Sequence, residues 1–311
     1  ARIRALETSL LNSAVIEQLM ACQTDVQCLQ LLQEKGWGDA ATPENAEAIL
    51  SREQEKIWET IRDLGVDMSV FDVLSYPNLF HNLKAAIKDA CTSESGKHLN
   101  IYYEDTSISP DEMLEIVRSK DFSRLPKIMS EAAKEAYEAL LHTRDGQLCD
   151  IIIDKAQLEA VYQAGKEAKD SIIKEYAEST VAIADIKIAV RAQKTAKSME
   201  FMKRAMAECE SLSVTQLAKA AVSGMDAIVE YLSQTEYAEG GRAIAESASA
   251  FERWCDNRMM QTMQPQGSST CLFMWMTQNY LSGRAALWRR LPTEAFLSGI
   301  QKESEPLSRQ P

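Results

Sequence analysis

Proline and glycine are scarce in this 311-residue chain, at eight and twelve residues, and the stretch 127–264 has no proline at all. Proline removes a backbone donor and breaks helices, so a long proline-free stretch excludes a turn-rich β architecture and favours long helices. Histidine is rarer still: His81, His98 and His142 are the whole set. None belongs to an H-E-x-x-H or E-x-x-H motif, which leaves out zincin and di-iron bundle chemistry. The glycine patterns that cradle phosphates are missing. Gly96-Lys97 has no upstream glycine to complete G-x-x-x-x-G-K-[ST], and neither G-x-G-x-x-G, D-D-x-x-D nor G-x-S-x-G occurs. No two of the seven cysteines have C-x-x-C spacing and their number is odd. A disulfide framework is therefore disfavoured, and free thiols in a reducing cytoplasm fit better. The most conspicuous apolar run, Leu272-Phe273-Met274-Trp275-Met276, falls far short of the ~20 residues of a membrane-spanning helix. Ala1-Arg2-Ile3-Arg4 reads as a charged helix start rather than a signal peptide, and the missing initiator methionine as processing or trimming.

What is present is acidic and helical. Forty-six acidic residues against 34 basic ones give a net charge of -12. Such a chain repels phosphate backbones, so nucleic acid is not an expected partner. Ile57, Trp58, Ile61 and Leu64 are spaced as one helical face, and Leu158, Val161 and Tyr162 repeat the pattern. Leu99-Asn100-Ile101-Tyr102-Tyr103 is the one stretch that could be extended, and it reads equally as a connector.

Boundaries are marked by residue chemistry. Thr42-Pro43-Glu44 predicts an N-cap followed by proline at the first helical position, with Gly65 ending that helix. Ser109-Pro110-Asp111-Glu112 and Ser213-Val214-Thr215-Gln216 predict capping boxes. Asp145-Gly146 predicts a turn between helices, Gly240-Gly241 a second break, and Gln264 to Thr270 a polar loop.

The two capping boxes lie one repeat apart. Leu79 to Lys88 aligns with Ala182 to Arg191, matching Asn82 with Asp185, Lys84 with Lys187 and Lys88 with Arg191. Leu29-x-x-Leu32 with Trp37 resembles Val229-x-x-Leu232 with Tyr237 at twice that distance. A period of roughly 100 residues accounts for all of these. It predicts three helical modules at 1–104, 105–208 and 209–311, the last with a divergent C-terminal tail.

Candidate chemistry is thin. Glu138 and His142 are i,i+4 neighbours that could share a metal, or simply a helix-surface hydrogen bond. Asp150, Asp154 and Glu159 suit a solvated or inter-helix face better than a metal site. Met259, Met260, Met263, Met274 and Met276, beside Trp254 and Trp275, read as adaptable core or as a partner groove. Neither a catalytic constellation, a cofactor site nor a metal site is expected. Arg2, Arg4 and Glu7 read as surface residues of a first helix, suited to docking against another helix.

That first helix carries a resemblance. Ala1-Arg2-Ile3-Arg4-Ala5-Leu6-Glu7-Thr8-Ser9-Leu10-Leu11 resembles the A-R-x-R-A-x-E-x-x-L-L opening of the C-subunit family of V/A-type (vacuolar/archaeal-type) ATPases, whose vacuolar members are known as d subunits. His81-Asn82-Leu83-Lys84 is similar to the family's H-N-L-K segment, and Asp185-Ile186-Lys187 with Arg191 to its later N-I-K…R segment. Asp150-x-x-x-Asp154 fits the acidic start of the preceding helix, and Phe251 to Asn257 the aromatic segment that opens the third copy. Departures are also visible. Leu79 and Ala182 stand where the family has acids, and Asp185 stands where it has its second asparagine. Tyr280 to Arg290 lacks the glutamates of the third copy, and Lys302 to Pro311 is a polar tail. The likeness stops near Gln261, for which a frame shift near Gln264 is the expected cause.

The resemblance implies an all-α funnel with pseudo-three-fold symmetry that passes torque without catalysing a reaction. Its implied place is the central stalk of a V/A-type rotary ATPase, between axle subunits of the D and F type and the membrane proteolipid ring. The implied location is cytoplasmic, peripheral to the membrane through the complex and without direct membrane insertion, in a bacterium. Asn82, Lys84, Asp185, Lys187 and Arg191, with Arg4 and Glu7, are the expected inter-helix pairing residues. Two rivals are a helical-repeat adaptor unrelated to rotary enzymes and an all-helical enzyme using Glu138 or His142.

Overall fold

The computed structural model describes residues 11–39, 45–65, 68–91, 102–104 and 106–262. Among them there are thirteen α-helices and no strand. The chain divides into two compact units, one spanning Asp67–Met263 and the other holding the N-terminal helices.

The N-terminal unit contains α1 (Ser13–Ala21), α2 (Asp25–Glu34) and α3 (Ala46–Asp63). Each begins where a side-chain oxygen satisfies a free helix N–H: Asn12 accepts from Val15, Thr24 from Gln27 and Asn45 from Ala48. Thr42-Pro43-Glu44 lies outside the described residues, and the cap of α3 is Asn45. Gly65 closes α3 as expected, with φ +63 and its N–H donated to the Arg62 carbonyl at 3.1 Å. The Ile57, Trp58 and Ile61 face is buried, while Leu64 is half-buried. Leu19, Cys28, Leu32, Trp37 and Ile49 form a small core over α1 and α2.

The larger unit runs through α4 (Asp72–Cys91), α5 (Pro110–Ser119), α6 (Lys127–Thr143), α7 (Gly146–Glu167), α8 (Ser171–Lys194), α9 (Met199–Ala205), α10 (Val214–Ser223), α11 (Met225–Ser233), α12 (Ala238–Glu246) and α13 (Ala248–Thr262). Ser109 and Ser213 cap α5 and α10, accepting from the N–H groups of Glu112 and Gln216. The Glu112 carboxylate turns to Arg124, so at this end the serine half of the capping box carries the cap. Asp145 caps α7 directly after the left-handed Arg144 that closes α6, which makes the expected turn.

Two apolar cores fill this unit. The first gathers Leu83 and Ile87 of α4, Met113 and Ile116 of α5, Met129 of α6 and Ile153 of α7. The second gathers Ile186 of α8, Leu217 of α10, Ile228 and Leu232 of α11, Tyr237, and Phe251 of α13. Burying a side chain of this size is worth about 1.5–3 kcal/mol, so these stripes dominate the packing energy over any surface pair. Leu158 is buried with Val181 and Ala207 in a smaller cluster, with Tyr162 packed on its edge, and Val161 is buried as well.

Gly240-Gly241 corrects the sequence expectation of a break. Both residues lie inside α12. A Cβ at Gly240 would meet the Trp254 ring at 2.6–2.9 Å, and one at Gly241 would meet the Val229 carbonyl at 3.2 Å. Glycine is required there by the approach of neighbouring helices, not by a turn. The same device joins α7 and α8, where a Cβ on Gly165 would overlap the Cβ of Ala177.

Candidate functional site

The polar residues matched by the repeat lie on α4 and α8. Asn82 is fully buried in α4 and reaches the connector that leads to α5. Its Oδ1 accepts from the Tyr103 N–H at 2.9 Å, and its Nδ2 donates to the Tyr103 carbonyl at 2.8 Å and to Thr106 Oγ1 at 3.1 Å. An amide is suited to this because it both accepts and donates, so it can stand in for a neighbouring strand and satisfy a non-helical backbone. Tyr102 and Tyr103 are thus a connector held by α4; Leu99, Asn100 and Ile101 lie outside the described residues.

Asp185 occupies the matching place on α8 and is equally buried. Its Oδ1 accepts from the Ala207 N–H at 3.2 Å, while its Oδ2 is buried without a hydrogen-bond partner. Burial pushes this carboxyl up to about 8, with Glu208 adding to the rise and the Ala207 N–H and Lys155 opposing it.

The basic residues behave differently. Lys84 donates to Asp154 of α7 at 2.8 Å, and Lys88 to Asp150 one turn away at 3.0 Å. Lys187 sits 3.0 Å from Glu252 of α13. Arg191 is exposed on α8 and has no ion-pair partner among the described residues. Glu159 lies 3.8 Å from Lys155 on its own helix. Arg4 and Glu7 lie outside the described residues, as do Arg2, Met274, Trp275, Met276 and the whole C-terminal stretch from Met263.

Glu138 and His142 both stand exposed at the surface of α6. Among the described residues, no three His, Cys, Asp or Glu side chains come together as a metal-binding group. Trp254 stacks on Phe251 with ring centroids 6.0 Å apart and meets Tyr237 edge-on at 6.3 Å. Met259 packs against the same core, so Trp254 and Met259 are core packing, while Met260 is half-buried on the same helix. No helix among the described residues is long and apolar enough to cross a membrane.

Several partners have no signature in the sequence. Tyr103, Thr106 and Ala207 contribute main-chain or hydroxyl groups that no residue type announces. Glu252 was visible only as part of an aromatic segment. A further network joins Glu178 to Ser211, whose hydroxyl meets the Tyr237 hydroxyl at 3.0 Å. Arg258 lies over the Tyr237 ring at 5.5 Å. The one advance signal for this group was Tyr237 itself, at the repeat position of Trp37.

The site so built defines an all-helical protein whose distinctive polar residues tie helices to connectors and to one another. The sequence model of the family described as ATP synthase (C/AC39) subunit matches residues 1–272. The chain belongs to that family. Among relatives, the C subunit of the V-type sodium ATPase of Enterococcus hirae is 20% identical over 240 residues, covering 76% of this chain and 73% of the relative. The family match continues past Gln261, where the visible likeness of motifs ends.

Proposed function

We propose that this chain is a non-catalytic central-stalk subunit of a V/A-type rotary ATPase, coupling axle subunits of the D and F type to the membrane proteolipid ring. The observation that carries this is the family match over residues 1–272. It weighs against an unrelated helical adaptor, which has no reason to share that match. The helix packing is compatible with a load-bearing part. Helices α7 and α8 approach closely at Gly165, the Trp254 ring seats against Gly240, and connectors are tied back to helices by Asn82 and Asp185. On this proposal the modules 1–104, 105–208 and 209–311 are arranged as a funnel about a pseudo-three-fold axis. Lys84 and Lys187 then pair helices, Asn82 and Asp185 tie connectors to them, and membrane association on the cytoplasmic side comes through the ring.

The test is assembly. Purified full-length chain is mixed with axle subunits and with detergent-solubilised ring, and complexes are resolved by size. Retention of both is expected. A chain that ignores axle and ring alike refutes the proposal. Deleting the gene gives a second readout: ATP hydrolysis by the head persists while ATP-driven ion transport is lost.

A further inference from the structure

Between α8 and α13 the larger unit has a cavity of about 150 Å³. Lys187, Arg191 and Lys194 of α8 line it, facing Ala248, Phe251 and Glu252. The three cations are spaced i, i+4 and i+7, which places them along one face of the helix. Only Glu252 opposes them among the lining residues, and it is engaged by Lys187 at 3.0 Å.

The matching helix pair in the first half shows what is missing. There α4 presents Lys84 and Lys88 to α7, and Asp154 and Asp150, one helical turn apart, take one each. In the second half Lys187 takes Glu252, and the residue one turn before Glu252 is Ala248. Arg191 corresponds to Lys88, but one turn before the acid that engages Lys187 stands an alanine and not a second acid. Arg191 and Lys194 therefore line the cavity without a carboxylate of their own among the described residues.

We propose that this cavity binds a compact oxyanion of the phosphate class. A guanidinium presents a planar fork that matches two oxygens of such an ion, and ammonium groups add charge without fixed geometry. Lys187, held by Glu252, is the oriented member, and Lys194 closes the far end. Arg191, Lys194 and Glu252 are exposed, so the cleft is open on one side, and charge and guanidinium geometry select the ligand. The binding site does not depend on assembly with other subunits.

Isothermal titration of the full chain with inorganic phosphate, at ionic strength held constant with chloride, tests this. Saturable one-to-one binding is expected. Arg191→Gln weakens it at least tenfold, and Ala248→Asp, which restores the missing acid, does the same by occupying Arg191. Melting curves confirm that each variant is folded. Absence of phosphate binding by the unmodified chain overturns the proposal, whatever the variants do. So does unchanged affinity in the folded variants. Binding of a glutamate-rich peptide in place of phosphate also overturns it, and assigns the cavity to a protein partner.

Discussion

Asn82 and Asp185 hold corresponding places on two helices, and each accepts a hydrogen bond from main chain that returns past it. The N–H of Tyr103 comes to Asn82 at 2.9 Å, and that of Ala207 to Asp185 at 3.2 Å. They differ in one atom. The amide nitrogen of Asn82 donates twice, whereas the second oxygen of Asp185 has nothing to accept from and is sealed from water.

Replacing Asp185 with Asn is therefore expected to stabilise the fold, and more so at higher pH. The carboxyl rises from an ordinary value of 3.8 to about 8 in the folded chain. Between those values the native state keeps a proton that the unfolded state releases, so its contribution to stability falls as pH rises from 3.8 to about 8. Asn removes that slope. The gain at pH 8 is on the order of a few kcal/mol, because each pH unit between the two values costs the carboxyl about 1.4 kcal/mol that a neutral amide does not. Urea unfolding at pH 5 and pH 8 measures it; an equal difference at both would contradict the assignment.

The reverse change, Asn82→Asp, removes the donor to the Tyr103 carbonyl and Thr106. A loss of about 1–3 kcal/mol is expected at pH 7. Hydrogen exchange gives the local readout. The Tyr103 amide exchanges faster in the variant while amides in the middle of α7 change little.

Gly165→Ala sets two effects against each other. Alanine gains about 1 kcal/mol of helix propensity over glycine. The new Cβ overlaps that of Ala177, and neither belongs to a flexible side chain. Overpacking of this kind costs about 1–3 kcal/mol or more, so a net loss is expected. Thermal melting decides it, and a higher melting temperature would show that α7 and α8 separate easily.

The lysine pairs are expected to contribute little. Lys84 and Asp154 keep 24% and 50% of their side chains exposed. A double-mutant cycle on them should give less than about 1 kcal/mol, and raising salt should shrink it further. A coupling several times larger would mean that the pair is not screened by solvent.

Legibility in the sequence followed the range of the interaction. Ser109, Ser213 and Gly65 act within one turn of themselves, and their roles could be read from neighbouring residues alone. The face of Ile57, Trp58 and Ile61 was readable for the same reason, through helical spacing. The match of Asn82 with Asp185 was visible as a repeat, but their partners are backbone groups 21 and 22 residues away. Backbone carries no residue signature, so Tyr103 and Ala207 could not be named. Gly240 misled because glycine at a turn and glycine at a close helix contact look identical in sequence. Only Trp254, on a different helix, distinguishes them.

Successive helices along most of the larger unit are also packed neighbours: α6 with α7, α7 with α8, α10 with α11, α11 with α12, and α12 with α13. Contacts between elements adjacent in sequence close short loops and lose little chain entropy, which keeps contact order low. The unit should accordingly acquire its helical hairpins early. The pairings of α4 with α7 and of α8 with α13 join helices far apart in sequence, and these closures are the ones that cost the most chain entropy.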